Sequence, residues 1–330
     1  MDVTGAPVHD IRDTQLRELY RILHPSLSLV DGGKLKNFTN TWLENNSSAW
    51  VYYPWSNIVI GMLDEDSVFV LRTNRNKLLI SKEEQELLRT AHVAVIGLSV
   101  GNHVVAGLAH SGISKQMTIA DRDVLETTNT NRVRASLAEV GLAKTDIALC
   151  DIYEIDPFAQ VHVLEQGITE DNLFTLFEGE HPASIIYEVI DDFQMKVRIR
   201  QEAKKHGVPV VMLTCIHDRV LIDIERYDID PDLPLFNGLV DVAVEDILKT
   251  ESISPEDEKR FAISLVGAEH VSDKARDSVL SIGNTLVGRP QLYSSSAVAG
   301  GLATFVIREI VLGHNIPSGR KVLYIPELIE

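Results

Sequence analysis

Between His92 and Thr214 the chain repeats one unit, a short β-branched apolar run, then a turn, then a longer amphipathic run. The apolar runs are His92–Ile96, Gln116–Ala120, Gln160–Leu164, 184–190 and 208–214. Helices are predicted between them, from the turn at 97–101 to about Ser111, then over 136–150, 170–177 and 192–206. Strands that are apolar on both faces must be covered on both, and helices between strands serve as the long crossovers that parallel neighbours need. The pattern therefore predicts an α/β fold, a doubly wound, mostly parallel sheet with helices on both faces. After it, 220–227 reads as an antiparallel strand, 294–312 as a packed helix rich in small residues, and 321–325 as a final strand.

The residues before this series read differently. A helical segment near 14–23 is followed by Asn- and Ser-rich stretches expected to be loops (37–48). The aromatic cluster Trp50-Val-Tyr-Tyr-Pro-Trp55 and short β-like runs at 58–62 and 68–71 come next. Residues 1–71 are predicted to form an N-terminal α+β extension and 72–330 the main domain. Ser81-Lys-Glu-Glu84 has the spacing of a capping box and should open a helix to about Ala91. Residues 228–289 mix loops with helical pieces such as Ser254-Pro-Glu-Asp-Glu258, and are the expected crossover and substrate region.

Charge and cysteine content exclude whole classes of function. The formal net charge of −17 disfavours a nucleic-acid backbone or an anionic membrane as partner. The two cysteines, Cys150 and Cys215, form no CxxC pair, so neither a disulfide scaffold nor a multi-cysteine zinc site is expected. The start MDVTGAPVHD lacks the basic and apolar character of a signal peptide, and no stretch is expected to be long and apolar enough to span a bilayer, since even 294–312 contains Arg308 and Glu309. The expectation is a cytoplasmic protein.

Gly97-Leu-Ser99-Val-Gly101 lies between a strand and a helix, where two devices fit. One is a nucleophile elbow with Ser99 as nucleophile. The other is an anion-binding turn, in which free N–H groups at a helix N-terminus face a phosphate. The second is favoured because this strand opens the series and the next one ends in Asp121, about twenty residues on, where an acid can bond ribose hydroxyls. The result is a Rossmann-like site. Downstream, Asp121-Arg-Asp123, Thr128-Asn129-Thr-Asn-Arg132 and Gly141-Leu-Ala-Lys144 would gather an acid, an amide and two cations around one crevice, as a departing pyrophosphate requires. Asp191-Asp192 follows the strand at 184–190. A carboxylate there either holds Mg²⁺ against the phosphates or caps the next helix.

This ordered set resembles the ThiF/MoeB-type adenylyltransferases, the superfamily that includes the ubiquitin-activating enzymes. The likeness runs over about 72–227 and includes Arg72-Thr-Asn-Arg75-Asn-Lys-Leu-Leu, similar to the family's R-x-S-R-Q-x-x-L segment. The Pro290-Gln-Leu stretch and the helix start at 297–301 match more loosely. The resemblance implies that ATP binds at Gly97, Ser99 and Gly101, with Asp121 on the ribose and Asp123 beside it. Asn129, Arg132 and Lys144 would hold the phosphates and Asp191 would bind Mg²⁺. Arg75 would reach a phosphate from the neighbouring subunit of a homodimer. An acceptor carboxylate would then attack the α-phosphorus, giving an acyl-adenylate and pyrophosphate.

The chain departs from that pattern in three places. Ser99 stands where the family usually has glycine, the zinc CxxC pairs are missing, and no cysteine follows Cys215. An enzyme that forms no thioester is therefore expected, with Cys215 a packed residue. The acceptor would be the C-terminus of a small β-grasp protein, a peptide or a small acid. A basic run at 196–200 with Lys204 and Lys205 is the one stretch that could receive an acidic carrier, though its spacing also suits a solvated face. The alternatives are a catalytically degenerate nucleotide-binding module and an NAD(P)-dependent oxidoreductase.

Overall fold

In a computed structural model the described residues are 5–26, 32–179, 182–240, 248 and 255–329. The first part of the chain runs β1 (Val8–Asp10), α1 (Arg12–Leu23), α2 (Gly32–Asn45), β2 (Ser48–Tyr53), β3 (Ile58–Leu63) and α3 (Glu65–Thr73). Its strands form a three-stranded sheet in the order β1-β3-β2. Leu16, Leu19, Trp42, Met62, Leu63 and Val68 make a core of their own beneath it.

Two local expectations fail here. Residues 37–45, expected as loop, belong to α2, because Leu35, Phe38 and Trp42 fall three and four apart and share one inward face. The run at 68–71, expected as strand, lies inside α3. There Asp64 caps the helix, accepting from Ser67 N–H at 3.0 Å, and buries Val68 and Phe69.

The second sheet has seven strands. It is built from α4 (Lys82–Thr90), β4 (His92–Ile96), α5 (Gly101–Ser111), β5 (Gln116–Ala120), α6 (Lys144–Ile155), β6 (Gln160–Leu164) and β7 (Ile185–Glu188). α7 (Phe193–His206), β8 (Val210–Ile216), β9 (Arg219–Glu225), α8 (Pro255–Val266), α9 (Asp273–Ser281), α10 (Tyr293–Val311) and β10 (Gly319–Tyr324) follow. The strand order is β10-β9-β8-β7-β4-β5-β6. The five strands from β8 to β6 are parallel, and β9 and β10 are added antiparallel.

The α/β expectation holds. Val93 and Val95 point into one core with α5, α6 and α10, whereas Ala94 and Ile96 point into another with Met195, Ile199 and Ala203 of α7. Both faces are covered, which is why the strands are apolar without alternation. The Ser81 capping box is present, and Asp192 rather than Asp191 caps α7, accepting from Met195 N–H at 3.0 Å. The helix expected at 136–150 begins only at Lys144, and 170–177 holds a single 3₁₀ turn, Leu173–Leu176. Ser254, the expected cap of α8, lies outside the described residues.

α10 is long and apolar enough, by length and composition, to cross a membrane, contrary to expectation. In this fold it packs instead on α5 and β8, burying Ala299, Gly300, Ala303 and Ile307. Its small residues let the two helices nearly touch. A Cβ on Gly300 would stand 2.4 Å from His103 Cβ, and one on Gly107 would stand 2.3 Å from Thr304 Oγ1.

Candidate functional site

The chain leaves β4 for β5 and β6 on one side, then returns to place β7 and β8 on the other. A crevice opens at such a reversal, outside the carboxyl ends of the two diverging strands. Here those ends are Ile96 and Glu188, followed by Gly97 and by Val189 to Asp192. Val189 N–H donates to Ile96 O at 2.9 Å, so the two exits lie side by side.

Gly97 has φ +92°, and a Cβ there would stand 3.1 Å from the Val189 carbonyl. Only glycine meets both conditions. No side chain caps α5, whose first turn follows directly from this loop. The start of the helix thus has no side-chain partner, which is the condition an anion site at a helix N-terminus needs. Ser99 is half-buried in the loop and, among the described residues, hydrogen-bonds no histidine, so a nucleophile elbow has no base.

Asp121, expected at a ribose, already has two partners. One carboxylate oxygen accepts from Leu98 N–H at 2.6 Å and the other from Asp123 N–H at 2.9 Å, pinning the glycine loop to the end of β5. A small ladder then sets Lys144. Leu125 N–H bonds Leu142 O, Gly141 N–H bonds Leu125 O, and Lys144 N–H bonds Asp123 O. The Lys144 ammonium, almost enclosed, lies 2.7 Å from Asp123 and 4.0 Å from Asp121.

Asn129 is buried and accepts from Glu126 N–H, which fixes the turn leading to Arg132. Leu125, Val133 and Ile147 pack beneath this turn. Arg132 Nη1 bonds Thr128 O and Asn131 Oδ1, and its buried Nε has no partner. Burial first, then the nearby positive charge of Arg289, lowers the Arg132 pKa, and Asp191 pulls the other way. The structure thus brings Arg132, Asp191 and Arg289 together.

Asp191 is 93% exposed, and Arg289 Nη2 lies 3.9 Å from it. No group of three or more His, Cys, Asp or Glu side chains gathers for a metal among the described residues. Mg²⁺ nevertheless fits at Asp191, because that ion commonly takes one carboxylate, waters and substrate phosphates.

Arg75 is not brought to these residues. It is exposed on the 3₁₀ turn Asn74–Asn76, and Asn76 Nδ2 bonds Ser111 O at the far end of α5. An eleven-residue helix puts that end about 16 Å from the glycine loop. Arg72 is held by Asp156 at 2.8 Å and by the Ala109 carbonyl, and among the described residues Arg75 is the exposed arginine of the pair without such partners.

The run at 196–200 is neither a basic patch nor a solvated face. Lys196 and Arg200 are buried, bonding Glu188 at 2.8 and 2.7 Å, and Arg200 Nε bonds Glu225 at 2.7 Å. Tyr227 O–H and Phe236 N–H also donate to Glu225. Lys204 bonds the Leu233 carbonyl. Glu188, whose Oε1 also accepts from Ile190 N–H, thereby stiffens the strand exit that presents Asp191.

Cys215 is buried at the end of β8, and burial pushes its thiol up to about 11, Arg289 only partly opposing this. Cys150 is likewise pushed up to about 11 by burial and neighbouring acids. Iodoacetamide at pH 7.5 is expected to modify both on the order of 100-fold more slowly in the folded protein than in urea, read by mass spectrometry. Fast labelling of Cys215 would contradict its packed role.

Nothing in the local sequence marks Arg289, a lone cation between Gly288 and Pro290. Nor did it mark the bond from Leu98 to Asp121, although an acid ending the neighbouring strand was the available signal.

The sequence profile of the ThiF family matches residues 73–217. An uncharacterized protein of Mycobacterium tuberculosis is 33% identical over 278 residues, which is 84% of this chain and 38% of that protein. The tRNA threonylcarbamoyladenosine dehydratase of Bacillus subtilis is 31% identical over 140 residues, 42% of this chain and 54% of that protein. The chain thus spans about half or less of these relatives. The solved structure of Escherichia coli tRNA N6-threonylcarbamoyladenosine dehydratase in complex with ATP superposes with a TM-score of 0.52 at 19% identity. It covers 74% of this chain and 95% of that one, a likeness of fold.

Proposed function

The chain carries a ThiF-family domain, and on that premise we propose that it binds ATP at the β4–β7 crevice and adenylates a carboxylate. The observation that carries this reading is the meeting, at one switch point, of an uncapped helix N-terminus, an exposed carboxylate and a guanidinium with a buried, unpartnered N–H. ATP bound to a solved structure of the same fold supports it.

In this reading the α5 N-terminus receives the phosphates beside Gly97, whose own N–H is spent on Ala120 O at 2.8 Å, and Asp121 has lone pairs left for a ribose hydroxyl. Mg²⁺ held by Asp191 would supply charge neutralisation on the phosphate oxygens. A carboxylate oxygen of the acceptor attacks the α-phosphorus and the bond to the β-phosphate bridging oxygen breaks. An acyl-adenylate and pyrophosphate result. Arg132 and Lys144 meet the charge that grows on the leaving oxygens. With Cys215 buried and its thiol raised, the acyl group passes to a nucleophile of the substrate or of a partner, and no enzyme thioester forms.

The acceptor is a peptide, a small acid or a β-grasp C-terminus. Arg75, exposed and remote from its own site, suits delivery to a second copy in a homodimer. A cytoplasmic setting, without nucleic acid or membrane as partner, fits the acidic balance.

Calorimetry with ATP and Mg²⁺, and separately with NAD, tests this reading. Asp191→Ala is expected to weaken Mg²⁺-dependent ATP binding by about tenfold or more, with no NAD binding in either protein. ATP binding indifferent to Mg²⁺ and Asp191 would instead point to a nucleotide-binding module without chemistry. NAD binding alone would overturn the reading.

A further inference from the structure

Arg289 lies beyond the residues matched to the family, on the exposed segment before α10, yet it reaches Asp191 just after the end of β7. Its guanidinium is 3.9 Å from Asp191 and 44% exposed, and its charge is felt at Arg132 and at Cys215. The segment is tied to the Arg132 turn at two points. Asn131 Nδ2 donates to Gln291 O at 2.9 Å. Tyr293 packs edge-on against His103, whose Nε2–H donates to the Arg132 carbonyl at 2.8 Å.

Two features of this arrangement ask for an anion. Two guanidinium groups face one crevice, which is unfavourable unless negative charge lies between them. In addition, Arg132 Nε is buried without an acceptor, and such a donor ordinarily has one. Asp191 cannot serve both arginines and a cation. Its contact with Arg289 is long and open to water, so breaking it costs little. Val287 and Gly288 pack against nothing that would resist a shift, since Val287 is fully exposed and a Cβ on Gly288 would meet no atom within 4 Å.

We propose that Arg289 is a phosphate-binding residue that exchanges partners, leaving Asp191 and closing on the terminal phosphates of ATP opposite Arg132. The free protein then keeps Asp191 neutralised by an internal cation, and nucleotide binding trades that weak pair for two guanidinium–phosphate contacts. This assignment rests on the ATP-binding reading above.

Calorimetric titration of wild type, Arg289→Ala and Arg289→Lys with ATP·Mg²⁺ and with AMP tests it. Arg289→Ala is expected to weaken ATP by about 10- to 100-fold and leave AMP within about threefold of wild type, with partial recovery in Arg289→Lys. Unchanged ATP affinity in Arg289→Ala would overturn the assignment, and so would an equal loss for AMP. Wild-type protein that binds no ATP would instead defeat the parent reading, so the two failures are distinguishable.

Discussion

Replacing Lys144 by alanine is expected to slow ATP–pyrophosphate exchange by about 10²- to 10³-fold while leaving the fold nearly as stable as wild type. The two halves of this expectation have separate causes. The ammonium is the almost enclosed cation beside the Asp121–Asp123 turn, so if the chain adenylates as proposed its loss leaves charge on the departing phosphates unmet. Stability, by contrast, depends little on it. Its nearer partner Asp123 is 59% exposed and is solvated by water once the ammonium is gone, and the largely buried Asp121, 4.0 Å away, keeps its bonds from Leu98 N–H and Asp123 N–H. The backbone bond from Lys144 N–H to Asp123 O survives the substitution. Labelled pyrophosphate, with an acceptor that supports exchange in the wild type, reads the first effect, and urea unfolding reads the second. A loss below about fivefold would remove Lys144 from the chemistry.

Arg200→Ala should act the other way, unfolding the protein rather than silencing it. Glu188 and Glu225 are fully buried, and each spends one oxygen on this guanidinium. Removing it strands buried charge and also takes away the packing of the guanidinium over the Phe236 ring at 4.2 Å. A cost of about 3–5 kcal/mol follows. Arg200→Ala combined with Glu225→Gln should recover part of it, since one stranded charge is then gone.

The same network sets an acid limit. Burial alone would raise the Glu188 pKa, but Lys196 and Arg200 outweigh it and hold the carboxyl below its ordinary value of 4.5. A carboxyl depressed on folding stabilises the native state above its unfolded value, and that contribution is lost as pH falls through the folded value. In Arg200→Ala one cause of that depression is gone, so the variant's deficit in stability should be largest at neutral pH and narrow as pH falls through the carboxyl range. Urea midpoints of the variants, with an acid titration followed by circular dichroism, check both points. Destabilisation below about 1 kcal/mol would show that the network is not what holds the β7 exit.

What the chain disclosed in advance follows from how local each cause is. The parallel sheet was legible because burial on both faces leaves its mark within each strand, and the cap at Ser81 is set by residues three apart, although the choice between Asp191 and Asp192 as the cap of α7 stayed open. α2 was not, since its composition is polar and only Leu35, Phe38 and Trp42 carry the helical period. The candidate site residues Asp121, Asn129, Arg132, Lys144 and Asp191 could be named from their order, but their present partners could not. Lys196 and Arg200 look solvated by helical spacing alone. Their carboxylates sit on β7 and β9, and the available hint was Glu188 inside the apolar run Ile185-Ile-Tyr-Glu-Val-Ile190. Arg289 meets Asp191 only because α10 returns beneath α5.

That return also fixes when the site can come into being. The glycine contact of α5 with α10 joins segments on the order of 200 residues apart, so the ribosome, at roughly 5–20 residues per second, needs about 10–40 s to deliver the second after the first. Until then the apolar flank of α5 has no cover and the Arg132 turn lacks its tether through His103 and Tyr293. Throughout that interval the α5 flank is unburied apolar surface on a growing chain, the kind of surface that is prone to aggregate before its partner arrives.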